Sequence, residues 1–234
     1  MTRKAFQDYD RPSVATDLVL MSVRSGRLAV LLQKRDQDAE AGKWALPGGF
    51  VGIGESLDVA AGRVLAQKAR MAGAWVEQLY TFGAPKRDPR GRVITVAYFA
   101  LLPESRFEAA LTAASDLALA EVKVDWAGET GGPARAIDGE GAELPLAFDH
   151  AEILGLAVKR LRGKLDYSDI AFALLPELFT LRELQQVHEA ILGLPLNKPA
   201  FRRRLTDGGR LEATGRRESG TGFRPAELYR RKAP

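Results

Sequence analysis

The patterning of the chain changes once, near residue 148, and that change restricts its architecture more than any other feature. Before it, apart from residues 56–71, apolar residues alternate or run in short blocks rich in β-branched and aromatic side chains. After it, they recur at helical spacing. Charge shifts at the same place. Acidic residues slightly outnumber basic ones up to residue 149, whereas Lys and Arg clearly outnumber Asp and Glu beyond it, most of all in residues 198–232. The 234-residue chain therefore nets only +4 while its back half is distinctly basic. Such a distribution predicts that the back half alone meets a polyanion. The expected units are residues 1–148, an α/β domain, and residues 149–234, a helical and basic one.

Within the first unit, residues 17–23 (DLVLMSV) and 27–33 (RLAVLLQ) read as strands around a turn at Ser25 and Gly26. Residues 75–83, 92–102 and 122–127 read as further strands. Residues 43–51 (KWALPGGFV) end in a Pro-Gly-Gly loop, and residues 128–142, Gly-rich and polar, read as another loop. Between them, Leu57, Ala60, Ala61, Val64, Leu65 and Lys68 stand at helical spacing over residues 56–71.

The second unit is punctuated by helix starts. Asp149 with Glu152, and Thr180 with Glu183, are capping boxes for helices over 150–164 and 181–192, and Gly193 suits the end of the latter. Asn197 followed by Pro199 opens a third helix, residues 198–205, carrying Lys198, Arg202, Arg203 and Arg204. Residues 210–231 form two extended pieces around ESGTG, with Arg210, Arg216, Arg217 and Arg224. Helix, helix, short turn, basic helix and basic hairpin is the order of a winged helix-turn-helix. In that arrangement arginines read guanine in the major groove or neutralise phosphates, and the hairpin reaches backbone or minor groove.

Other classes are disfavoured. The chain has no cysteine, which removes disulfides and thiolate metal sites and suits a reducing cytoplasm. No stretch reads as a signal peptide or membrane span. Only His150 and His188 are present, the first expected at a solvated helix start and the second mid-helix without a companion ligand.

Residues 49–71 resemble the Nudix box, G-x5-E-x7-R-E-U-x-E-E-x-G-U, where U is apolar. Gly49, Glu55 and Arg63 fall at the right spacing, and Leu65 and Met71 fill the apolar positions. The family's three helical carboxylates, which hold Mg²⁺ for attack of water on a diphosphate, are here Val64, Gln67 and Lys68, and the closing glycine is Arg70. A valine, an amide and an ammonium are poor company for a hard cation. The expectation is therefore no bound metal, no catalytic residue and no cofactor.

The resemblance extends further. WALPGGFV (44–51), EQLYTFG (77–83), PKRDPRGR (85–92), AFALLP (171–176), FRRR (201–204) and RPAELYR (224–230) resemble, in this order, the Nudix-related transcriptional regulators of the NrtR family. The resemblance implies an α/β (α+β) protein: a Nudix α/β/α sandwich followed by a C-terminal winged helix-turn-helix. It implies a homodimeric, cytoplasmic regulator of duplex DNA, a repressor by expectation, bound to a near-palindromic operator and with no membrane association. In that family the Nudix domain senses ADP-ribose or a related nucleotide; NAD or a phosphorylated sugar remain open for this chain. Candidate effector contacts are Arg87 and Arg90, whose guanidiniums suit a diphosphate, Arg35 and Lys68 as further cations, and Trp44, Phe50 and Phe82 as aromatic faces. The alternative is an ADP-ribose-type pyrophosphatase with non-standard metal ligands.

Overall fold

In the computed structural model, which describes residues 9–37, 39–219 and 225–232, the chain first reverses at Ser25 and Gly26. Both take positive φ, 50° and 74°, the twist that a two-residue hairpin needs. The hairpin joins β1 (Ser13–Arg24) to β2 (Arg27–Lys34). Two short pieces follow, β3 (Trp44–Ala45) on β2 and β4 (Gly48–Phe50) on β1, then helix α1 (Leu57–Gln67). Next come β5 (Glu77–Phe82), β6 (Val93–Leu101), helix α2 (Glu104–Ala113), β7 (Leu117–Val124), β8 (Ala134–Ile137) and β9 (Glu143–Leu144). Among the described residues these nine strands form one sheet, ordered β5-β6-β1-β2-β7-β8-β9 along its main path. It is mixed: β1 and β6 are parallel, and the other main-path pairs are antiparallel.

The period-2 alternation of β1 sorts the core. Leu18 and Leu20 face one side with Leu31, Val96 and Tyr98, and there meet Ala61, Val64 and Leu65 of α1 and Phe107 and Ala110 of α2. Val19 and Met21 face the other side with Val30, Leu32 and Phe99. That face is covered by α3 (His150–Lys164), through Ile153, Leu154, Ala157 and Leu161. The same apolar cluster continues into Leu184, Val187 and Ile191 of α4 (Leu181–Leu192) and Phe201 of α5 (Lys198–Asp207). A 3₁₀ turn, Ile170–Leu174, links α3 to α4. The chain ends in a two-stranded sheet of β10 (Leu211–Arg217) and β11 (Glu227–Arg231), hydrogen-bonded through Tyr229 to Phe179 just before α4. The result is an α/β/α sandwich followed by a winged helix. Among the described residues no helix is long and apolar enough to cross a membrane.

Most helix ends follow local chemistry. Thr180 and Glu183 form a reciprocal capping box, Gly193 ends α4 at φ 71°, and Asn197 accepts from the N–H of Ala200 at 3.0 Å. Asp149 departs from expectation: it precedes α3 but makes no side-chain cap bond, because its carboxylate is taken by Arg87. Several elements were not expected from sequence, among them α2, β4, β8 and β9. Helix α2 buries only Phe107 and Ala110, too few to print a clear periodicity, and β8 lies inside the Gly-rich stretch expected to be a loop.

The break in patterning at residue 148 is a local one. Helix α3, beyond it, packs as a layer of the sheet, and at Gly155 its backbone runs directly against the carbonyl of Gly132. A Cβ there would overlap that oxygen, and backbone on both sides leaves nothing that can yield. Gly155→Ala is expected to destabilise by about 1–3 kcal/mol, measurable in urea; an unchanged midpoint would show that α3 can lift from the sheet at no cost.

Candidate functional site

A cavity of about 780 Å³ opens where β1, β4, the C-terminal end of α1, the loop between β5 and β6 and the start of α3 converge. Its wall carries six cations (Lys34, Arg35, Lys68, Arg70, Arg87 and Arg90), four aspartates (Asp17, Asp36, Asp88 and Asp116) and the rings of Phe50 and Phe148.

Arg87 is the most constrained of them. Its side chain is 4% exposed, and Nε and Nη2 donate to the two oxygens of Asp149 at 2.8 and 2.7 Å, while Nη2 lies 3.5 Å from Asp17. Such a parallel two-bond pair is among the strongest charge-assisted contacts. Asp17 fits beside this group because position 48 is a glycine; a Cβ there would strike its carboxylate. His150 completes the cluster. It is buried, accepts the N–H of Leu46 at Nδ1 (2.9 Å), and so turns its Nε2–H toward Asp17, 3.8 Å away. Burial pushes its pKa down, so the ring stays neutral. The solvated histidine expected at this helix start is thus a core residue of the site. His188 is also buried, its Nδ1–H donating to the carbonyl of Leu184 and its ring edge-on to Phe201.

Around this cluster runs a partly exposed shell. Arg35 lies 4.8 Å from the centroid of Phe148, and Arg90 lies 5.5 Å from both Phe148 and Phe50. Arg90 is also chelated by Asp88, whose pKa that guanidinium lowers. Phe148 holds a left-handed backbone, φ 53°, a strained choice for a bulky residue that turns its ring between the two arginines. Lys68 and Arg70 are exposed on the wall and make no ion pair among the described residues. Arg70, at the position of the expected glycine, takes the glycine-like φ of 55°.

The structure thus brings Arg35, Phe50, Lys68, Arg87 and Arg90 to one cavity, and it leaves Trp44 and Phe82 out of it. Trp44 packs half-buried at the core margin with Lys34 over its ring, and Phe82 packs at that margin edge-on to Tyr80. Strand pairing decides this: Trp44 is tied to the 145–147 segment and Phe82 to β6. Asp17, Arg70, Phe148, Asp149 and His150 were not expected in the site. Only Arg70 left a sequence signal, by standing where a glycine belongs.

The helix of the Nudix-like motif is held as its retained residues allow. Arg63 donates to both oxygens of Glu55 at 2.7 and 2.8 Å and to the carbonyl of Phe50, and Glu55 accepts the N–H of Gly52. The arginine holds the Glu55 carboxyl down to about 2. The positions that would carry magnesium ligands do not fit that ion. Val64 is buried in the apolar cluster, Gln67 is neutral and Lys68 is cationic. Among the described residues no group of three or more acidic or histidine side chains is arranged to hold a metal.

On the winged helix, Lys198, Arg202 and Arg203 are exposed on α5 and Arg216 on β10, without an ion pair among the described residues. Arg217 is exposed and donates to the carbonyl of Pro225. Arg204, exposed, and Arg210, half-buried, are engaged within the protein. Arg204 pairs with Asp166 at 2.8 Å, and Arg210 donates to the carbonyls of Asp166 and Ser168. Both brace the 166–168 segment, since the strand after α5 must return alongside it. Arg224 lies outside the described residues.

Comparison with known proteins agrees with this division. Residues 12–130 match the NUDIX domain, and residues 171–231 match the NrtR DNA-binding winged helix domain. The ADPR responsive transcriptional repressor NtrR of Acinetobacter baylyi is 36% identical over 225 residues, covering 95% of this chain and 83% of that protein. Shewanella oneidensis NrtR, solved complexed with a 27mer DNA, is 36% identical with a TM-score of 0.72, over 94% of this chain and 93% of that one. A MutT/nudix family protein from Enterococcus faecalis superposes with a TM-score of 0.74 at 27% identity, over 98% of this chain and 90% of that one. An ADP-ribose pyrophosphatase of Methanocaldococcus jannaschii is 33% identical over only 41% of this chain and 54% of its own.

Two consequences are measurable. Replacing Arg87 by Met strands two carboxylates, so Arg87→Met should cost about 3–5 kcal/mol; a loss within about 0.5 kcal/mol would mean that the guanidinium is not needed by its aspartates. The two buried histidines resist protonation in the fold, against 6.5 for a free ring. Their contribution is complete above pH 6.5 and is lost as pH falls below it. Urea midpoints should therefore decline from pH 7.5 to 5.5, and a flat profile would contradict neutral burial.

Proposed function

Because the chain belongs to the NrtR family, NUDIX-domain proteins with a winged-helix DNA-binding domain, we propose that it is a cytoplasmic transcriptional repressor that binds duplex DNA as a homodimer. ADP-ribose, or a close nucleotide relative, is the effector that sets its operator affinity. The observation that carries this reading is the coexistence, on one apolar core, of a cation-lined cavity of about 780 Å³ and a recognition helix with Lys198, Arg202 and Arg203 free of ion pairs among the described residues. The naming of the Acinetobacter relative as an ADPR responsive repressor and the DNA complex of the Shewanella protein support it.

In this reading the division between sensor and reader falls after α3, in the segment that begins the winged-helix match at residue 171. The effector's diphosphate is met by Lys68 and Arg70, the exposed cations at the end of α1, rather than by Arg87, which is committed to its aspartates. The Phe50 ring offers a stacking face for a planar base, with Arg90 behind it. An ammonium and a guanidinium here replace the charge that magnesium supplies in a hydrolase, so the cavity binds without activating water. On the DNA side, Lys198, Arg202 and Arg203 contact the major groove, Arg216 and Arg217 the backbone beside it, and half-sites are separated by about one turn of duplex or a multiple.

The test is operator binding by the full chain, followed by fluorescence anisotropy with and without ADP-ribose, in EDTA. Effector binding should persist in EDTA and change operator affinity, and no AMP should be released when Mg²⁺ is restored. Arg202→Ala should weaken operator binding about tenfold or more and leave ADP-ribose binding intact. Binding that requires Mg²⁺, or turnover of ADP-ribose without any preference for a DNA sequence, would return the chain to the hydrolases.

A further inference from the structure

One buried charge belongs neither to the cavity nor to the recognition helix. Arg162, in the last turn of α3 and two residues before its end, is 8% exposed. No carboxylate pairs with it among the described residues. Its guanidinium is met by backbone instead: Nε donates to the carbonyl of Ile191 at 3.1 Å and Nη1 to that of Gly128 at 3.0 Å. The plane lies 4.8 Å from the centroid of Trp126. Ile191 is in the last turn of α4, where helix carbonyls carry partial negative charge. Gly128 belongs to the loop that follows β7. A single side chain thus ties α3 to the loop after β7 and to α4, which packs against the recognition helix α5.

A cationic group buried without an anion is costly, and an apolar side chain of similar length would pack there more cheaply. What the guanidinium adds is direction. It holds one carbonyl at the end of α4 and one in the loop after β7 in a fixed relation, and α4 holds α5 through their shared core. A groove of about 800 Å³ runs beside it, between Lys123 of β7 and Arg135 of β8 and the 189–195 segment. The head and the sensor are therefore not packed solid at this junction, and Arg162 is the polar bridge across it.

The other end of α3 lies in the effector cavity. Phe148 and His150 line the wall, and Asp149 holds Arg87. The helix is 15 residues long, about 20 Å of rigid rod. We propose that Arg162 is the positioning residue that passes effector occupancy to the reading head, holding α4 and α5 in the orientation that α3 dictates. This rests on the functional reading above.

The experiment uses the full chain and three proteins: wild type, Arg162→Met and Arg162→Lys. Operator Kd is measured by anisotropy with and without saturating ADP-ribose, and ADP-ribose Kd by calorimetry. In Arg162→Met the ADP-ribose Kd should stay within about twofold of wild type, while the ratio of operator Kd values with and without effector collapses by about fivefold or more. Arg162→Lys, whose ammonium can reach one carbonyl but not hold both in plane, should keep an intermediate ratio. If Arg162→Met is too unstable to assay, a folded Arg162→Lys with the wild-type ratio overturns the proposal. So does a wild-type ratio in Arg162→Met, or a parallel loss of ADP-ribose affinity, which would make Arg162 a support of the cavity. A wild-type protein whose operator affinity ignores ADP-ribose would overturn the functional reading and this proposal together.

Discussion

The buried pair between Arg87 and Asp149, with Asp17 beside it, is the contact on which the sensing half is assembled. It joins side chains from three pieces of the chain: the first strand, the loop between β5 and β6, and the entry to α3. At 4% exposure the guanidinium cannot be replaced by solvent, and removing either partner would leave an unpaired charge in a low-dielectric setting. The same pair explains the missing cap on α3. Asp149 has one carboxylate, and two charge-assisted bonds outweigh one bond to a helix N–H. The cluster therefore sets where the helix begins and, through Phe148 at its left-handed φ, what shape the cavity wall takes.

A second constraint is the continuity of the apolar core. The residues of α3 that cover the sheet and the residues of α4 and α5 that build the winged helix lie in one cluster. Sensor and reader are thus distinct in sequence matches but not separated by a solvated linker. A core of this kind transmits displacement rather than absorbing it, because close-packed side chains have few alternative arrangements. Where the packing opens, at the groove beside Trp126, a buried arginine spans the gap.

The third is a change of sign on an old scaffold. Glu55 and Arg63 keep the loop against α1, so the geometry of a Nudix helix persists. The positions that would hold a cation now present a buried methyl-bearing side chain, an amide and an ammonium. Lys68 and Arg70, exposed on this wall without an ion pair among the described residues, favour anionic ligands directly, without an intervening ion.

What could be read from the residues was whatever depends on neighbours in the chain. The Ser25–Gly26 turn, the alternation of β1, the capping box at Thr180 and the basic α5 are local events, and each was legible. So was the lost donor set at positions 64, 67 and 68, since spacing on a helix is enough to bring those residues together. Helix α2 was not, having only two buried side chains, and neither was β8, whose pairing comes from a distant strand. The cavity was half legible. Arg35, Phe50, Lys68, Arg87 and Arg90 came from residue type and motif, but Trp44 and Phe82 were drawn to the core margin by strand pairing. Asp149 and His150 arrive from 62 and 104 residues away in sequence from the atoms they bind. Only the tertiary fold could decide that Arg87 is spent on aspartates, that Arg204 and Arg210 brace the reader, and that Arg162 meets α4. Local sequence sets which conformations a segment prefers, whereas the partner of a charge is chosen by whatever the folded chain places within hydrogen-bonding distance of it.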